Sequence, residues 1–321
     1  MITAAGQPPA VVDRPDPARP EGHALVAVSA APITPLDVLC ATGASYFGVP
    51  ATPYVPGVQG VGVVHGSDTV AAGTRVWFPT TAGMQPGDGS LAGLCTVPDD
   101  ELVPLPDDVP DPAAAALGLS AVAAWMALTW RGGLCAGEQV LVLGAGGVVG
   151  QVAVQIARLH GARRVVAAAR SQAARDRALA AGADAVVALT VQDDVPALAR
   201  RFADACGGDV DLVIDPLCGT PASAAARVLG SGGRLVNLGS AAGATATFDS
   251  AALRSRSAAI LGYTNNDLTR EQRQSALGEV LSSAAAGRLG VEHQVVHLDD
   301  VSEAWVRQSD GTAPVRIVVQ L

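Results

Sequence analysis

The chain has 321 residues, of which 49% are hydrophobic and 16% are charged, and its net charge is −9. This length allows two domains with a core each. The negative charge argues against nucleic acid or an anionic membrane as a partner, because both require clustered positive charge. All 21 basic residues are arginine, which excludes a Schiff-base lysine and a P-loop lysine.

Several features are typical of a cytoplasmic protein. The five cysteines show no C-x-x-C spacing, a pattern expected of reduced thiols. The first residues carry no signal-peptide pattern, so we expect a cytoplasmic location. Two uncharged runs, residues 112–130 and 139–157, approach the length of a membrane span. Because both are rich in alanine and glycine, we interpret them as a buried helix and a strand–turn–helix unit.

The chain up to about residue 111 has the pattern of a β domain. Proline and glycine separate short β-type runs over residues 23–30, 58–65, 74–78 and 94–97. This pattern predicts a compact, partly barrel-like domain. A turn-rich segment follows, and Pro112 then stands in the first turn of a helix predicted over residues 113–130.

Residues 139–170 have the pattern of a nucleotide-binding βαβ unit. An apolar strand over 140–143 precedes a glycine turn, a helix and a second strand over 165–169. The turn fails G-x-G-x-x-G at Val149 but fits G-x-x-G-x-x-G, and such glycines let a pyrophosphate approach the helix N-terminus. Arg170 stands where an acidic residue would indicate NAD. Since a guanidinium suits a ribose 2′-phosphate, the sequence favours NADP(H).

Strands and helices alternate after this unit. We predict strands over residues 184–189, 210–214, 234–238 and 258–261, and helices over 171–182, 193–207, 221–229 and 249–256. With the two strands of the βαβ unit, this order predicts a doubly wound parallel sheet. A polar helix over 269–287 and strand-like runs over 294–298 and 315–321 come last. We expect these last strands to return to the N-terminal sheet.

Eight segments carry a further pattern in chain order: ITPLD (33–37), PYVPGVQGVGVV (53–64), AALGLSAVAAWMAL (115–128), VLVLGAGGVVGQVAVQIARLHGA (140–162), AAGAD (180–184), DLVIDPLCG (211–219), GGRLVNLGS (232–240) and PVRIVV (314–319). Together they resemble the medium-chain dehydrogenase/reductase superfamily, in its zinc-independent quinone oxidoreductase branch. The resemblance implies an α/β fold with a GroES-like β-barrel catalytic domain at residues 1–112 and 263–321. It implies a Rossmann NADP(H)-binding domain at residues 113–262, and a homodimer.

The positions of the zinc ligands in zinc-dependent members of the superfamily are occupied by Thr34, Val58 and Leu119. Because these side chains cannot form a zinc shell, and residues 80–93 lack the structural zinc cysteines, we predict that no metal is bound. This chain also departs from the quinone oxidoreductase branch itself. Thr34 replaces a usual asparagine, and Ala174 and Leu189 stand where some members have a cofactor-binding lysine and tyrosine.

The resemblance and the carboxyl ends of the strands give a set of site residues. We predict that the cofactor is bound by Gly144, Gly146, Gly147, Val148, Val149, Arg170, Leu217, Gly239, Ser240, Tyr263, Thr264 and Asn265. The resemblance implies that Thr34, Tyr46 and Ser120 face the substrate cleft. We name Thr34 and Tyr46 as candidate catalytic residues, with backbone capping as the alternative for Thr34 and loop packing for Tyr46. Cys218 is interpreted as a small buried apolar residue, with an approach to the nicotinamide as the alternative.

These observations favour an NADPH-dependent, metal-free oxidoreductase that transfers hydride to a quinone or an α,β-unsaturated carbonyl compound. In such a substrate the charge left by hydride is delocalised, so a hydrogen-bond donor and water replace the metal. We expect a small-molecule substrate and neither nucleic acid nor membrane as a partner. Two alternatives stay open: an enoyl-thioester or biosynthetic tailoring reductase, and a non-catalytic NADPH-binding sensor.

Overall fold

The computed structural model describes residues 1–321. In chain order the elements are β1 (His23–Ile33), α1 (Pro35–Thr42), β2 (Gln59–Gly66), β3 (Arg75–Pro79), β4 (Leu94–Pro98), β5 (Val103–Pro104), α2 (Asp111–Met126), β6 (Gln139–Leu143), α3 (Val148–Leu159), β7 (Arg164–Ala169), α4 (Gln172–Ala180), β8 (Ala185–Ala188), α5 (Val195–Cys206), β9 (Val210–Asp215), α6 (Gly219–Ala226), β10 (Leu229–Asn237), α7 (Ser250–Arg256), β11 (Ala259–Gly262), α8 (Arg270–Ala285), β12 (His293–His297), α9 (Val301–Ser309) and β13 (Arg316–Gln320).

The chain divides into two compact units. The first unit comprises Met1–Leu119 and Leu281–Leu321, and the second comprises Ser120–Val280. The domain limits drawn from the sequence, at residues 112 and 263, remain a prediction, because a compact unit need not be a domain that folds alone.

The first unit contains a seven-stranded sheet. Its strand order is β12-β13-β1-β2-β3-β5, and β4 pairs with β1. Strands β12 and β13 are parallel, and the remaining pairs are antiparallel. The predicted return of the last strands to the N-terminal sheet is confirmed, because β13 pairs with β1. Apolar side chains of β1, β3 and α9, among them Val26, Phe78 and Trp305, form one buried core.

The second unit contains a six-stranded sheet in the order β11-β10-β9-β6-β7-β8. Every pair in it is parallel, which confirms the predicted doubly wound sheet. The entirely buried β6 runs along the middle, as its continuous apolar sequence predicts. The chain winds from β6 towards β8 and then from β9 towards β11. Parallel sheets of this kind bind ligands at the carboxyl ends of the strands where the winding reverses.

One predicted helix extends into the strand that follows it. The helix predicted over residues 221–229 is α6, which starts at Gly219 and ends at Ala226. Leu229 instead begins β10 and pairs with Val210 of β9. The apolar run that resembles a last helical turn is therefore buried by the sheet, and pairing with β9 prevails over helix propensity.

Helix α2 is the one segment long and apolar enough to cross a membrane. With the π-helical turn Ala127–Arg131 it extends over Asp111–Arg131, and 61% of its most apolar window is buried inside the protein. Buried core helices commonly have this length and composition. The second uncharged run is strand β6, a turn and helix α3, as predicted.

Candidate functional site

The turn between β6 and α3 is built around glycines. Gly144 has a φ of 64°, a left-handed conformation that allows the chain to reverse directly after Leu143. The N–H of Gly147 donates to the carbonyl of Gly144 at 3.1 Å, and the N–H of Ala145 donates to that of Ala168 at 3.0 Å. These bonds fix the turn and attach it to β7.

The glycines of this turn differ in what surrounds them. A Cβ at Gly146 would lie 2.5 Å from the Cβ of Ala174, and one at Gly150 would lie 2.5 Å from the Cα of Ala145. A Cβ at Gly147 would meet only the carbonyl oxygen of Gly144, at 3.7 Å. Gly146 and Gly150 therefore allow close packing, whereas Gly147 leaves an open surface.

That open surface is the N-terminus of α3. Gly147 is the N-cap and offers no side-chain hydrogen bond to the first turn. The first N–H groups of a helix have no partner within the helix, and the helix dipole makes this end positive. An exposed, uncapped helix N-terminus with a bare glycine beside it suits a phosphate group. The residues present thus fit the pyrophosphate of a dinucleotide.

Arg170 follows β7, and its guanidinium is available to bind an anion. Its side chain is exposed, and its guanidinium forms neither a hydrogen bond nor an ion pair. By contrast, Arg163 lies 3.5 Å from a carboxylate oxygen of Asp211, and Arg164 donates to the carbonyl of Ala205 at 2.8 Å. Arg170 therefore fits the 2′-phosphate of NADP(H) without losing an existing bond.

Asp215, at the end of β9, holds the next two turns. Its Oδ1 accepts from the N–H groups of Leu217 at 3.0 Å and Cys218 at 2.8 Å. Its Oδ2 accepts from the side-chain amide of Asn237, at the end of β10, at 2.8 Å. Burial raises the pKa of Asp215, and these hydrogen bonds oppose the rise. The same amide of Asn237 donates to the carbonyl of Gly239 at 2.9 Å, so this buried carboxylate links the turns that follow two neighbouring strands.

The loops held by Asp215 pack closely. The side chain of Leu217 lies 3.0 Å from the position that a Cβ of Gly144 would occupy, so Leu217 packs against the glycine turn. A Cβ at Gly239 would lie 2.7 Å from the carbonyl oxygen of Pro216. Cys218 is only partly buried, which corrects its interpretation as a buried residue. It is the N-cap of α6, with a φ of 57°.

Residues 263–265 form a turn after β11. The hydroxyl of Tyr263 donates to the side-chain carbonyl of Asn265 at 2.6 Å, and burial raises the pKa of Tyr263. Thr264 caps the short 3-10 turn Asn265–Asp267. With Ser240, which is exposed after β10, every predicted cofactor residue follows the carboxyl end of a strand in this sheet. Their contacts with a cofactor stay predictions.

In the first unit, Thr34 is the N-cap of α1. Its hydroxyl donates to Oδ2 of Asp37 at 2.6 Å and accepts from the N–H of Asp37 at 3.2 Å. Oδ1 of Asp37 accepts from the N–H groups of Gly57 at 3.1 Å and Val58 at 2.8 Å. Burial raises the pKa of Asp37, against the effect of these bonds. Thr34 is buried and its hydroxyl hydrogen is engaged, a geometry that favours the capping alternative.

The other two residues expected at the substrate differ in exposure. Tyr46 is 78% exposed, and its ring lies 4.5 Å from that of Phe47. Ser120 is half-buried and opens the second unit. Tyr46 is therefore the predicted catalytic residue that a substrate can reach from solvent.

The positions of the zinc ligands hold no zinc-binding donors. Val58 and Leu119 are apolar, and the hydroxyl of Thr34 belongs to the capping box. No group of three or more His, Cys, Asp or Glu side chains could hold a metal ion. Gln59, which follows Val58 in the chain, is wholly buried. Its Oε1 accepts from the N–H of Leu119 at 2.6 Å and from Nε1 of Trp77 at 3.2 Å.

Comparison with known proteins places the chain in a family. Residues 20–107 match the alcohol dehydrogenase GroES-like domain family, and residues 148–282 match the zinc-binding dehydrogenase family. The structure superimposes on the quinone oxidoreductase of Thermus thermophilus, which was solved alone and with NADPH, with a TM-score of 0.83 and 31% identity. That comparison covers 100% of this chain and 98% of the other. The chain belongs to the medium-chain dehydrogenase/reductase superfamily, in its quinone oxidoreductase-like branch.

Two relatives known from sequence extend this result. The quinone oxidoreductase of Mus musculus is 33% identical over 225 residues, which are 68% of this chain and 66% of the mouse protein. A phenolphthiocerol/phthiocerol polyketide synthase protein of Mycobacterium tuberculosis is 31% identical over 317 residues. This match covers 94% of the chain but only 14% of that synthase protein. The chain thus spans just under two thirds of the first relative and a small part of the second.

Three residues near the site are not evident from the sequence. Asp215 and Asn237 each end an observed strand and lie within one residue of the end of the strand predicted there, and that shared position is the signal that could have paired them. Gln59 follows Val58, and the sequence pattern of that segment indicates a role only for Val58, at the position of a zinc ligand. Trp77 and Leu119, the partners of Gln59, lie 18 and 60 residues away in the chain, so no local signal points to them.

Proposed function

We propose that this member of the superfamily is an NADPH-dependent oxidoreductase that transfers hydride, without a metal, to a quinone or an α,β-unsaturated carbonyl compound. The observation that carries the proposal is the pair of open phosphate-binding features in the second unit. One is the uncapped N-terminus of α3 beside Gly147, and the other is the unengaged guanidinium of Arg170. A protein that bound NAD would gain nothing from the second feature.

Each group of predicted residues has a proposed part in holding the cofactor. The first N–H groups of α3, at Val148 and Val149, bind the pyrophosphate, and Arg170 binds the 2′-phosphate. Leu217, Gly239 and the turn at residues 263–265 line the remainder of the dinucleotide. When bound, NADPH supplies the hydride. Residues 113–262 serve as the cofactor domain in this proposal, and residues 1–112 and 263–321 serve as the substrate domain.

The side chains at the zinc positions favour a conjugated substrate. A simple carbonyl concentrates negative charge on its oxygen when hydride adds to carbon, and a metal commonly carries that charge. Thr34, Val58 and Leu119 offer no ligand for such a metal. In a conjugated substrate the charge is spread over several atoms, so one hydrogen-bond donor suffices. We propose the exposed hydroxyl of Tyr46 as that donor, with Thr34 holding the backbone of α1.

The relatives support the same activity. The proteins of Mus musculus and Thermus thermophilus are named quinone oxidoreductases, and the latter forms a complex with NADPH. The similarity to part of a polyketide synthase supports a second candidate, a biosynthetic reductase acting on an enoyl thioester. We further propose a homodimer located in the cytoplasm, a location consistent with five free cysteines.

Replacing Arg170 tests the cofactor assignment. We expect Arg170→Ala to weaken NADPH binding about tenfold to a hundredfold, which corresponds to the free energy of one charge-assisted hydrogen bond. NADH binding should weaken much less. Fluorescence titration with both nucleotides measures this selectivity. Arg200→Ala, which removes an exposed arginine from α5, is the matched control. Equal losses for NADPH and NADH in Arg170→Ala would show that Arg170 does not bind the 2′-phosphate.

A further inference from the structure

A second arginine lies in the same turn as Arg170. Arg175, in the first turn of α4, directs its guanidinium back towards the end of β7. Its Nη1 donates to the carbonyl of Arg170 at 2.6 Å and reaches that of Ala169 at 3.5 Å. Its Nη2 donates to the side-chain carbonyl of Gln172 at 2.7 Å. The guanidinium is therefore held against the backbone from which the side chain of Arg170 projects.

The positive charge of Arg175 has no counterion. All of its hydrogen-bond acceptors are neutral carbonyl oxygens, and it forms no ion pair. The nearby carboxylate of Asp176 accepts instead from the side-chain amide of Gln172, at 2.7 Å. Asp176 thus bonds Gln172 and does not pair with Arg175. The guanidinium of Arg175 also keeps unused donor hydrogens, because it carries five.

Ser171 adds a hydroxyl to the same turn. It is the N-cap of α4, and its Oγ accepts from the N–H of Ala174 at 3.2 Å. That bond uses an acceptor position and leaves the hydroxyl hydrogen for a ligand. Ala174 itself is buried against Gly146, so no longer side chain at that position could join the cluster without displacing the glycine turn. The turn therefore brings together the exposed guanidinium of Arg170, the half-buried guanidinium of Arg175 and the hydroxyl of Ser171.

We propose that Arg175 is a second specificity-determining residue, which binds the 2′-phosphate of the cofactor together with Arg170 and the hydroxyl of Ser171. This inference rests on the proposed use of NADPH and assigns its selectivity to two arginines. A phosphate monoester carries close to two negative charges and three acceptor oxygens at neutral pH. Two guanidinium groups and a hydroxyl match that charge and those acceptors. Two guanidinium cations also distinguish a phosphate from a ribose hydroxyl more strongly than one does.

The competing explanation is that Arg175 only fastens α4 to the end of β7. Calorimetric titration of the intact protein with adenosine 2′,5′-bisphosphate and adenosine 5′-monophosphate separates the two, because these probes differ only in the 2′-phosphate. We expect Arg175→Ala to reduce the ratio of the two affinities by about tenfold or more. Arg175→Lys, which keeps the charge, should lie between Arg175→Ala and the wild type. Arg200→Ala should keep the wild-type ratio.

The outcomes distinguish this inference from the proposed function. If Arg175→Ala keeps the wild-type ratio, or weakens both probes equally, Arg175 does not bind the phosphate. A ratio in Arg175→Lys as low as in Arg175→Ala would also overturn the inference, because charge would then not be the cause. If the wild type itself bound both probes equally, the NADPH assignment would fail before any variant was compared.

Discussion

Gly147 offers the sharpest test of how the dinucleotide is held, because the structure separates it from its neighbouring glycines. Its φ of −82° suits alanine, and a Cβ there would touch only the carbonyl oxygen of Gly144, at 3.7 Å. Gly147→Ala should therefore cost only about 0.5–1 kcal/mol of folding free energy, the difference between glycine and alanine at an N-cap. The added methyl would, however, stand over the N–H groups that receive the pyrophosphate.

The expected loss of affinity follows from the bonds at risk. A hydrogen bond from a helix N–H to a phosphate is worth about 1.5–3 kcal/mol, and displacing one weakens NADPH binding about tenfold to a hundredfold. Gly150→Ala is the matched variant with the opposite effect. Its Cβ would lie 2.5 Å from the Cα of Ala145, so overpacking should lower stability by about 1–3 kcal/mol or more.

Two measurements on both variants complete the test: urea unfolding for stability, and fluorescence titration with NADPH for affinity. We expect Gly147→Ala to lose affinity at nearly constant stability, and Gly150→Ala to lose stability first. Wild-type NADPH affinity in Gly147→Ala would refute the placement of the pyrophosphate beside this residue. A stability loss in Gly147→Ala as large as in Gly150→Ala would refute the geometric distinction between the two glycines.

Two further variants test the first unit. Thr34→Val removes the cap of α1 and should lower the free energy of unfolding by about 1–2 kcal/mol while the folded enzyme keeps most of its kcat. A hundredfold lower kcat in fully folded Thr34→Val would instead support Thr34 as a catalytic residue. Gly118→Ala should destabilise the protein by about 2–4 kcal/mol, because Gly118 has a φ of 32° and its Cβ would overlap Oε1 of Gln59. Wild-type urea stability in this variant would show that helix α2 relaxes around the methyl group.

Much of the second unit could be predicted from local sequence. The apolar run of β6, the glycines after it and the alternation of strands and helices are local patterns, and the structure follows them. The cap of α1 was equally visible, since Thr34 and Asp37 have the spacing of a capping box. The family resemblance drew attention to Thr34 as a substrate-facing residue, although its local hydrogen-bonding pattern indicates a cap.

What could not be predicted depends on contacts between distant segments or on the direction of a side chain. Gln59 meets Leu119 only because the sheet and helix α2 bring them together, and a strand pattern contains no such information. The predicted boundary between α6 and β10 was wrong, because the pairing of Leu229 with Val210 determines where the strand begins. Arg175 looked like one of several surface arginines, and only the rotamer that directs it towards the carbonyl of Arg170 sets it apart.

Metal-free hydride transfer from NADPH is tested most directly by one assay of NADPH oxidation. NADPH oxidation is followed with a simple quinone, an enone and an enoyl thioester, before and after dialysis against a strong chelator. We predict that NADPH is oxidised with the quinone or the enone, faster than NADH, and that the chelator leaves the rate unchanged. Loss of activity on chelation, or NADPH binding without turnover of any of the three substrates, would contradict the claim.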